Sequence, residues 1–418
     1  MKKYLIIACV AVLLLLSLKT AARAVTEMEI LVDKLVEKGI LTPADGDKII
    51  RETHAEAKKQ QEAVIKEAKT KILPDWVQNT KLTGDFRLRY QWDDRDGSNE
   101  RNRFRFRARL ALETKIAETL KFTFGIASGP NDPRSTNQTA SDVFSHKQLN
   151  IDLAYVSWTP YAWVNVLGGK MKNPVYVVDQ LIWDSDIRPE GVAAQFNRKF
   201  NDDVSGFLNT AVFILNENAQ DNNNPYMFVV QPGIDWKITD CTKLKYAFGW
   251  TDIPNIEGKP QLTYSAGTNT YETNKAGVKV YKYGYNLLTM TGELGFKNPV
   301  RNMVNYAALF GEYVHNTAAS GNNSGFMTGF YFGDEKVTDK GQWQFKYSFR
   351  RLESDAVLDV LPDSDFYGGA TDAYGHKATF QYGLMKNVWY EMNYYRTEKI
   401  KSPEKPENIL QTDINFKF

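Results

Sequence analysis

Residues 101–112, RNRFRFRARLAL, place Arg103, Arg105, Arg107 and Arg109 at alternate positions, with Phe104, Phe106, Ala108 and Leu110 between them. Successive side chains of a β-strand point to opposite faces, so this strand is guanidinium on one side and hydrocarbon on the other. The preceding segment repeats the pattern. Leu82, Gly84, Phe86, Leu88 and Tyr90 share one face, and Thr83, Asp85, Arg87 and Arg89 share the other. Near the end of the chain, Val388, Tyr390, Met392 and Tyr394 alternate with Trp389, Glu391, Asn393 and Tyr395. Trp343, Phe345, Tyr347 and Phe349 likewise alternate with Gln344, Lys346, Ser348 and Arg350.

Period two predicts sixteen strands, near 80–91, 103–114, 119–128, 148–158, 162–171, 190–198, 205–215, 226–238, 243–252, 282–296, 302–314, 325–333, 341–352, 376–385, 387–397 and 409–418. Their connections alternate in length. KIAE after 114, DCT at 240–242, KNPVR at 297–301 and KN at 386–387 are brief, whereas 129–146, 216–225, 252–280 and 353–375 are long and polar. An up-and-down meander sorts its loops this way when one rim faces a confined compartment and the other faces outside.

A soluble barrel or sandwich would turn the hydrocarbon face inward and leave the arginines in water. A barrel in an outer membrane inverts this: lipid meets the apolar face, water fills the lumen, and closure satisfies every backbone group. Strands of about ten residues suit a tilted bilayer crossing. The expected fold is therefore all-β, a transmembrane antiparallel up-and-down barrel of about sixteen strands, its outer face against outer-membrane lipid.

The start of the chain supports export. MKKYLIIACVAVLLLLSLKTAARA has a basic beginning, an apolar run from Leu5 to Leu18, and the small-x-small site Ala22-Arg23-Ala24. The run is about 14 residues, short of the roughly 20 that span a bilayer as a helix. The reading is a signal peptide at 1–24, a periplasmic helical arm at 25–75 and a barrel at 76–418. Within the arm, Ile30, Leu31, Leu35, Val36 and Ile40 fall at helical spacing, Thr42-Pro43 starts a second helix, and Pro74 ends it.

The formal charge is +2, and loss of Lys2, Lys3, Lys19 and Arg23 with the leader gives 2 − 4 = −2. Nothing in that balance draws in nucleic acid. Loss of Cys9 leaves Cys241 as the single thiol, so no internal disulfide is available. His54, His146, His315 and His376 lack metal-ligand spacing, and no glycine-rich phosphate loop or nucleophile elbow is present. Neither a cofactor nor an enzymatic activity is expected. A hydrolase with Ser and His on the outer wall is the less favoured alternative, because no histidine has an evident serine partner on a neighbouring strand. A structural or adhesive barrel that grips the cell wall through its arm is the other.

The chain resembles the putative porins of Gram-negative bacteria. The resemblance rests on LVDKLVEKGILTPAD, on LTGDFRLRYQ followed by RNRFRFRARLAL, on GGKMKNP at 168–174 and on LIWDSDIRPEGVAAQF at 181–196. It implies a homotrimer with a pore in each subunit for small hydrophilic solutes or ions, and it supplies no particular solute. The ending ILQTDINFKF, with Phe418 last, resembles the signal by which the barrel-assembly machinery takes up outer-membrane barrels.

The candidate pore lining is Arg87, Arg89, Arg103, Arg105, Arg107, Arg109, Lys346 and Arg350. The third long connection, 172–189, carries Asp179, Asp184, Asp186 and Arg188 beside Trp183. In porins this loop often folds inward, which would set its carboxylates against the arginine wall. Asp184-Ser185-Asp186 lacks the further ligands of a calcium loop.

The mature protein should begin at Val25, which mass spectrometry of the membrane-extracted chain would read directly. A terminus at Met1 would remove the export reading.

Overall fold

The computed structural model describes residues 29–72, 75–301, 303–401 and 405–418. The leader expected at 1–24 and Pro74 lie outside them. The chain divides into two compact units, one reaching Thr80 and the other comprising Lys81–Phe418.

In the first unit a helix at 29–37 (α1) is followed by α2, Pro43–Ile72, and a short α3, Asp75–Gln78. Thr42 caps α2: its Oγ1 accepts from the Asp45 backbone N–H at 3.2 Å, and Pro43 occupies the first turn, where no N–H is needed. Gly46 lets the two helices approach, because a Cβ there would lie 2.8 Å from Val36 Cγ2. His54 Nε2 meets Glu29 Oε1 at 2.7 Å across the same pair.

The second unit is a closed antiparallel barrel. Its sheet has 17 strands, one of them the two-residue segment Gln138–Thr139, which leaves sixteen long strands. These are β1 Thr80–Arg95, β2 Arg101–Ala117, β3 Leu120–Ser128, β4 Leu149–Tyr161, β5 Val164–Lys170, β6 Glu190–Lys199, β7 Val204–Ile214 and β8 Tyr226–Lys237. They continue as β9 Thr242–Ile253, β10 Tyr285–Val300, β11 Val304–Asn316, β12 Ser324–Gly333, β13 Trp343–Leu352, β14 Ala373–Met385, β15 Val388–Lys399 and β16 Glu407–Lys417. Each pairs with its sequence neighbours, and β1 also pairs with β16. Two expected turns are shorter than the sequence suggests. KIAE and KNPVR are mostly strand, because bulges at Lys115/Ala117 and Lys297/Val300 carry the pairing past the turn-forming residues.

One rim therefore carries tight turns and the other carries the long loops 129–148, 171–189, 254–284 and 353–372. Leu88, Leu110, Phe124, Phe248, Leu309 and Met392 are among the large apolar side chains exposed on the outer wall. Tyr161 stacks on Trp163 at the turn rim with 5.8 Å between centroids, as an interfacial aromatic girdle requires.

The seam between the first and last strands is specified by charge. Arg89 and Asp413 face each other in register, and the guanidinium donates from Nε and Nη2 to both carboxylate oxygens at 2.8 and 2.7 Å. The side chains are 3% and 0% exposed. Phe418 closes the seam at its turn-rim end, exchanging backbone hydrogen bonds with Gly84 at 2.8 and 3.0 Å. Its ring lies where a Gly84 Cβ would be, 2.7 Å away, so only glycine fits.

The expectation of a polar inner face is corrected for half of the barrel. Phe213 on β7, Met227 and Val229 on β8, Leu287 on β10, Phe310 and Val314 on β11 and Met327 on β12 point inward and are buried. They pack against Leu181, Ile182, Trp183 and Ile187 of loop 171–189 and Val357, Leu358 and Leu361 of loop 353–372. The loops fold into the lumen and form a hydrophobic core within it, so the wall they cover is dry. Each such side chain contributes roughly 1.5–3 kcal/mol by leaving water.

Asp413→Asn should lower the temperature at which the folded, fast-migrating gel species converts to the unfolded one. Removing the bidentate partner of buried Arg89, which then keeps Asp365 at 3.4 Å, costs up to about 3–5 kcal/mol, whereas replacing both Arg89 and Asp413 by apolar residues should cost less. Equal losses in the single and double variants would show that the pair does not act as a unit.

Candidate functional site: the arginine wall and its loops

The charged half of the lumen is built on β1, β2, β16 and the strands beside them. Alternation puts Arg87 and Arg89 of β1 and Arg103, Arg105, Arg107 and Arg109 of β2 on one curved surface, within reach of the acids of the same strands. Arg107 Nη2 lies 2.8 Å from Asp85 Oδ1, and Arg109 Nε lies 2.8 Å from Asp85 Oδ2. Arg103 holds Asp93 at 2.7 Å through Nη2. Arg87 is 3.7 Å from the Asp413 carboxylate already engaged by Arg89, and it also donates to Asn137 Oδ1. Arg105 differs. It donates Nη1 to Gln91 Oε1 at 2.9 Å, and among the described residues no carboxylate lies within 4.0 Å of it.

Loop 171–189 crosses in front of this wall. Its base closes through Met171 N–H to Pro189 O at 2.9 Å, and barrel side chains hold its backbone. Gln231 accepts from Tyr176 N–H and donates to Tyr176 O, each at 2.8 Å, while Gln195 donates to Pro174 O at 2.9 Å. The apolar residues near 182 turn to the dry wall, Asp186 and Arg188 turn away from it, and Asp179 reaches its edge at Lys346, whose ammonium lies 4.5 Å over the Phe310 ring. Asp179 meets Lys346 at 2.9 Å, Asp186 meets Arg109 at 3.2 Å, and Arg188 meets Asp152 at 3.3 Å. Asp186 Oδ2 also accepts from Thr136 N–H and Oγ1 at 3.1 and 3.0 Å, which ties in loop 129–148.

Loop 353–372 is the partner of loop 171–189. Asp184 N–H donates to Leu361 O at 2.7 Å, and Ser364 N–H donates back to Asp184 Oδ2 at 2.8 Å. Asp184-Ser185-Asp186 and Asp363-Ser364-Asp365 make the same turn, the first carboxylate accepting the N–H two residues on at 2.8 and 3.0 Å. Asp365 Oδ2 then reaches Arg89 at 3.4 Å, and Asp363 faces Lys377 at 3.6 Å. Arg350 Nη1 donates to Gln180 O at 3.3 Å, with its guanidinium 4.2 Å above the Phe366 ring. Arg134 knots three loops, donating to Asp359 O at 2.9 Å, Gly369 O at 3.1 Å and Tyr264 O at 2.9 Å.

The loop acids carry opposite proton preferences. Burial favours the protonated forms of Asp179 and Asp186, but Lys346 and Lys377 at the first, and Arg107, Arg109, Arg87 and Arg188 at the second, outweigh it and hold each at about 2. Asp184 is pushed well above the usual carboxylate range by burial and by the charges of Asp363 and Asp186.

Every predicted wall and loop residue thus lies in or against the lumen, but as a paired lattice rather than a bare cationic face. The pairing acids Asp85, Asp93, Asp413, Asp363 and Asp365, and the knot at Arg134, are what sequence reasoning missed. Asp85 and Asp413 share the inward face of their strands, and the repeated Asp-Ser-Asp was a readable signal for the loops. One further expectation is corrected. His315 does have a serine partner, because antiparallel register sets it opposite Ser324, with Nδ1 2.9 Å from Oγ on adjacent strands. The calcium reading also meets an obstacle, since Asp184 is spent on two backbone N–H groups and Asp186 on Arg109 and Thr136.

Two cavities flank the loop assembly. One, about 390 Å³, is lined by Arg95, Arg101, Arg103, Arg105, Asp93, Asp365 and Glu407. The other, also about 390 Å³, lies among Trp183, Phe213, Leu361, Asp186 and Arg188.

A family profile described as "Putative porin" matches residues 94–315 and 293–418. No curated protein sequence matches the chain. Among solved structures, OprB of Pseudomonas putida at high pH aligns with a TM-score of 0.54 and 12% identity over 82% of this chain and 95% of that one. OmpF of Salmonella typhi, in complex with daunomycin, aligns with a TM-score of 0.50 and 13% identity over 81% and 97%. At such identities the likeness is one of fold.

Because Asp179 and Asp186 are depressed below the ordinary 3.8, the hold they give the loop is complete above about pH 4 and is lost as pH falls toward 2. Asp184 works the other way, and its ionisation at higher pH opposes docking, so the loop sits most firmly in mild acid. Single-channel conductance should therefore step up between pH 4 and pH 2, and Asp186→Asn should show the larger, noisier conductance already at neutral pH. A flat profile in both proteins would contradict this.

Proposed function

The chain belongs to the putative porin family, and we propose that its channel carries small hydrophilic solutes and ions through the arginine-lined half of the lumen, with a modest preference for anions. The channel itself and its place in a Gram-negative outer membrane follow from the family and the fold. The route and the selectivity are our reading. The observation that carries them is Arg105. Arg87, Arg89, Arg107 and Arg109 share Asp85, Asp413, Asp186 and Asp365, whereas Arg105 stands in the same wall with Gln91 as its hydrogen-bond partner and no carboxylate within 4.0 Å among the described residues. Arginine remains charged at physiological pH. Such a charge, screened over about 10 Å at 0.1 M salt, biases ion entry without excluding cations.

We place the loop rim outside the cell and the helical arm in the periplasm, since the arm leads into β1 at the turn rim. A homotrimer, implied by the family resemblance, finds support in an apolar recess of about 460 Å³ on the outer wall at the seam, among Leu88, Tyr90, Phe104, Phe106, Tyr390 and Ile414. Phe418 is proposed as the contact for barrel assembly. The structural or adhesive alternative predicts no conductance. The hydrolase alternative has the His315–Ser324 pair in its favour, and the other neighbour of Ser324 Oγ is Asn323 Oδ1 at 3.5 Å. A phospholipid-hydrolysis assay on the folded barrel separates that reading.

Planar-bilayer recording in a potassium chloride gradient should give discrete conductance steps and a reversal potential on the anion side. Arg87→Ala with Arg105→Ala should move that potential toward cations in a barrel that still shows the heat-dependent gel shift. An unchanged potential would place these side chains outside the conducting path.

A further inference from the structure

The cavity on the loop-rim side of the arginine wall has the composition of a binding site, and we infer that it is a solute site for small polyhydroxylated carboxylates, of the sugar-acid class, occupied before passage through the wall. This rests on the channel reading above and names the solute class for it.

The cavity, about 390 Å³, falls within the roughly 300–1,000 Å³ typical of small-molecule sites. Four arginines and three carboxylates line it. Each carboxylate is already engaged: Asp93 by Arg103 at 2.7 Å, Glu407 by Arg95 at 2.7 Å and Asp365 by Arg89 at 3.4 Å. Arg105 is left with one hydrogen bond, to an amide, and its buried Nε has no partner. A guanidinium fork without a carboxylate, held in place by Gln91, is pre-set for an incoming one. The opposing acids are pinned by other arginines, so they can accept hydrogen bonds from hydroxyls without being drawn onto Arg105.

The neutral lining sets the rest of the specificity. Ser98, Asn99, Ser135 and Ser364 supply hydroxyl and amide groups, and Ile409 is the one large aliphatic side chain in the lining. An alkyl carboxylate would gain the fork but make no hydrogen bond to these groups, of which Ser98 and Asn99 are exposed and Ser364 Oγ already donates to Arg134 O at 2.9 Å. A neutral sugar would satisfy them and leave the fork empty. A sugar acid does both, adding hydroxyl contacts to the charge-assisted bond at the fork.

The test is block of potassium chloride current by sodium D-gluconate, D-glucose and sodium hexanoate, each titrated on the loop-rim side of single channels. Gluconate should half-block at a concentration at least about tenfold below the other two, and Arg105→Gln should weaken it at least about tenfold, with Arg105→Lys between. Conductance steps with no advantage for gluconate would overturn the site and leave the channel standing, whereas absence of conductance would overturn the channel reading itself. Should Arg105→Gln fail to show the folded gel species, the ranking of the three solutes on the unaltered protein decides alone.

Discussion

Every backbone donor and acceptor on a strand in lipid must find a partner, and the first and last strands can find theirs only in each other. The rest of this molecule depends on that pairing. It is reinforced by Arg89 and Asp413, which are 324 residues apart in sequence and share a bidentate bond at the seam. The same two residues begin the lattice that lines the charged half of the lumen, so the element that closes the barrel also orients its charges.

Inside, two solvents meet. The half wall from β5 to β13 is covered by loops that bring their own apolar residues, and the remaining half keeps its charges in water or in pairs. Loop 171–189 is the boundary: Trp183, ringed by apolar neighbours, stands T-shaped against Phe213 at 6.1 Å, while Asp186 three residues on reaches Arg109. Such a segment can sit in one orientation only, since rolling it would bury the acids in hydrocarbon and wet the rings. The loop is thus placed by contrast between its faces more than by any single bond, and the Arg134 knot then fixes the loops to one another.

The barrel was legible because period two is a local signal repeated in every strand, and the inversion of its faces was legible because the arginines could not be core. The arginine wall was legible for the same reason. Its neutralisation was less so. Asp85 could be paired with Arg107 and Arg109 only once strand register was known, and register is set by closure rather than by any one segment. The apolar lumen wall was harder still. Phe213 or Leu287 reads the same whether it meets lipid or a folded loop, and the loops are polar on average, with their buried residues in short runs such as 356–358. His315 and Ser324 show the same limit on a smaller scale, being neighbours by register and strangers in sequence.

The dry half of the lumen limits how the channel can move. Withdrawing loops 171–189 and 353–372 as a body would wet Phe213, Met227, Leu287 and Phe310 at once, a cost growing with every side chain uncovered. Their charged edge is bound by ion pairs that are themselves largely buried, among them Asp186 with Arg109 and Asp179 with Lys346. The loops are therefore clamped along both edges, by hydrocarbon on one and by charge on the other. Of the two clamps only the second responds to acid, so a change in bore begins at the charged edge and the barrel need not deform to produce it.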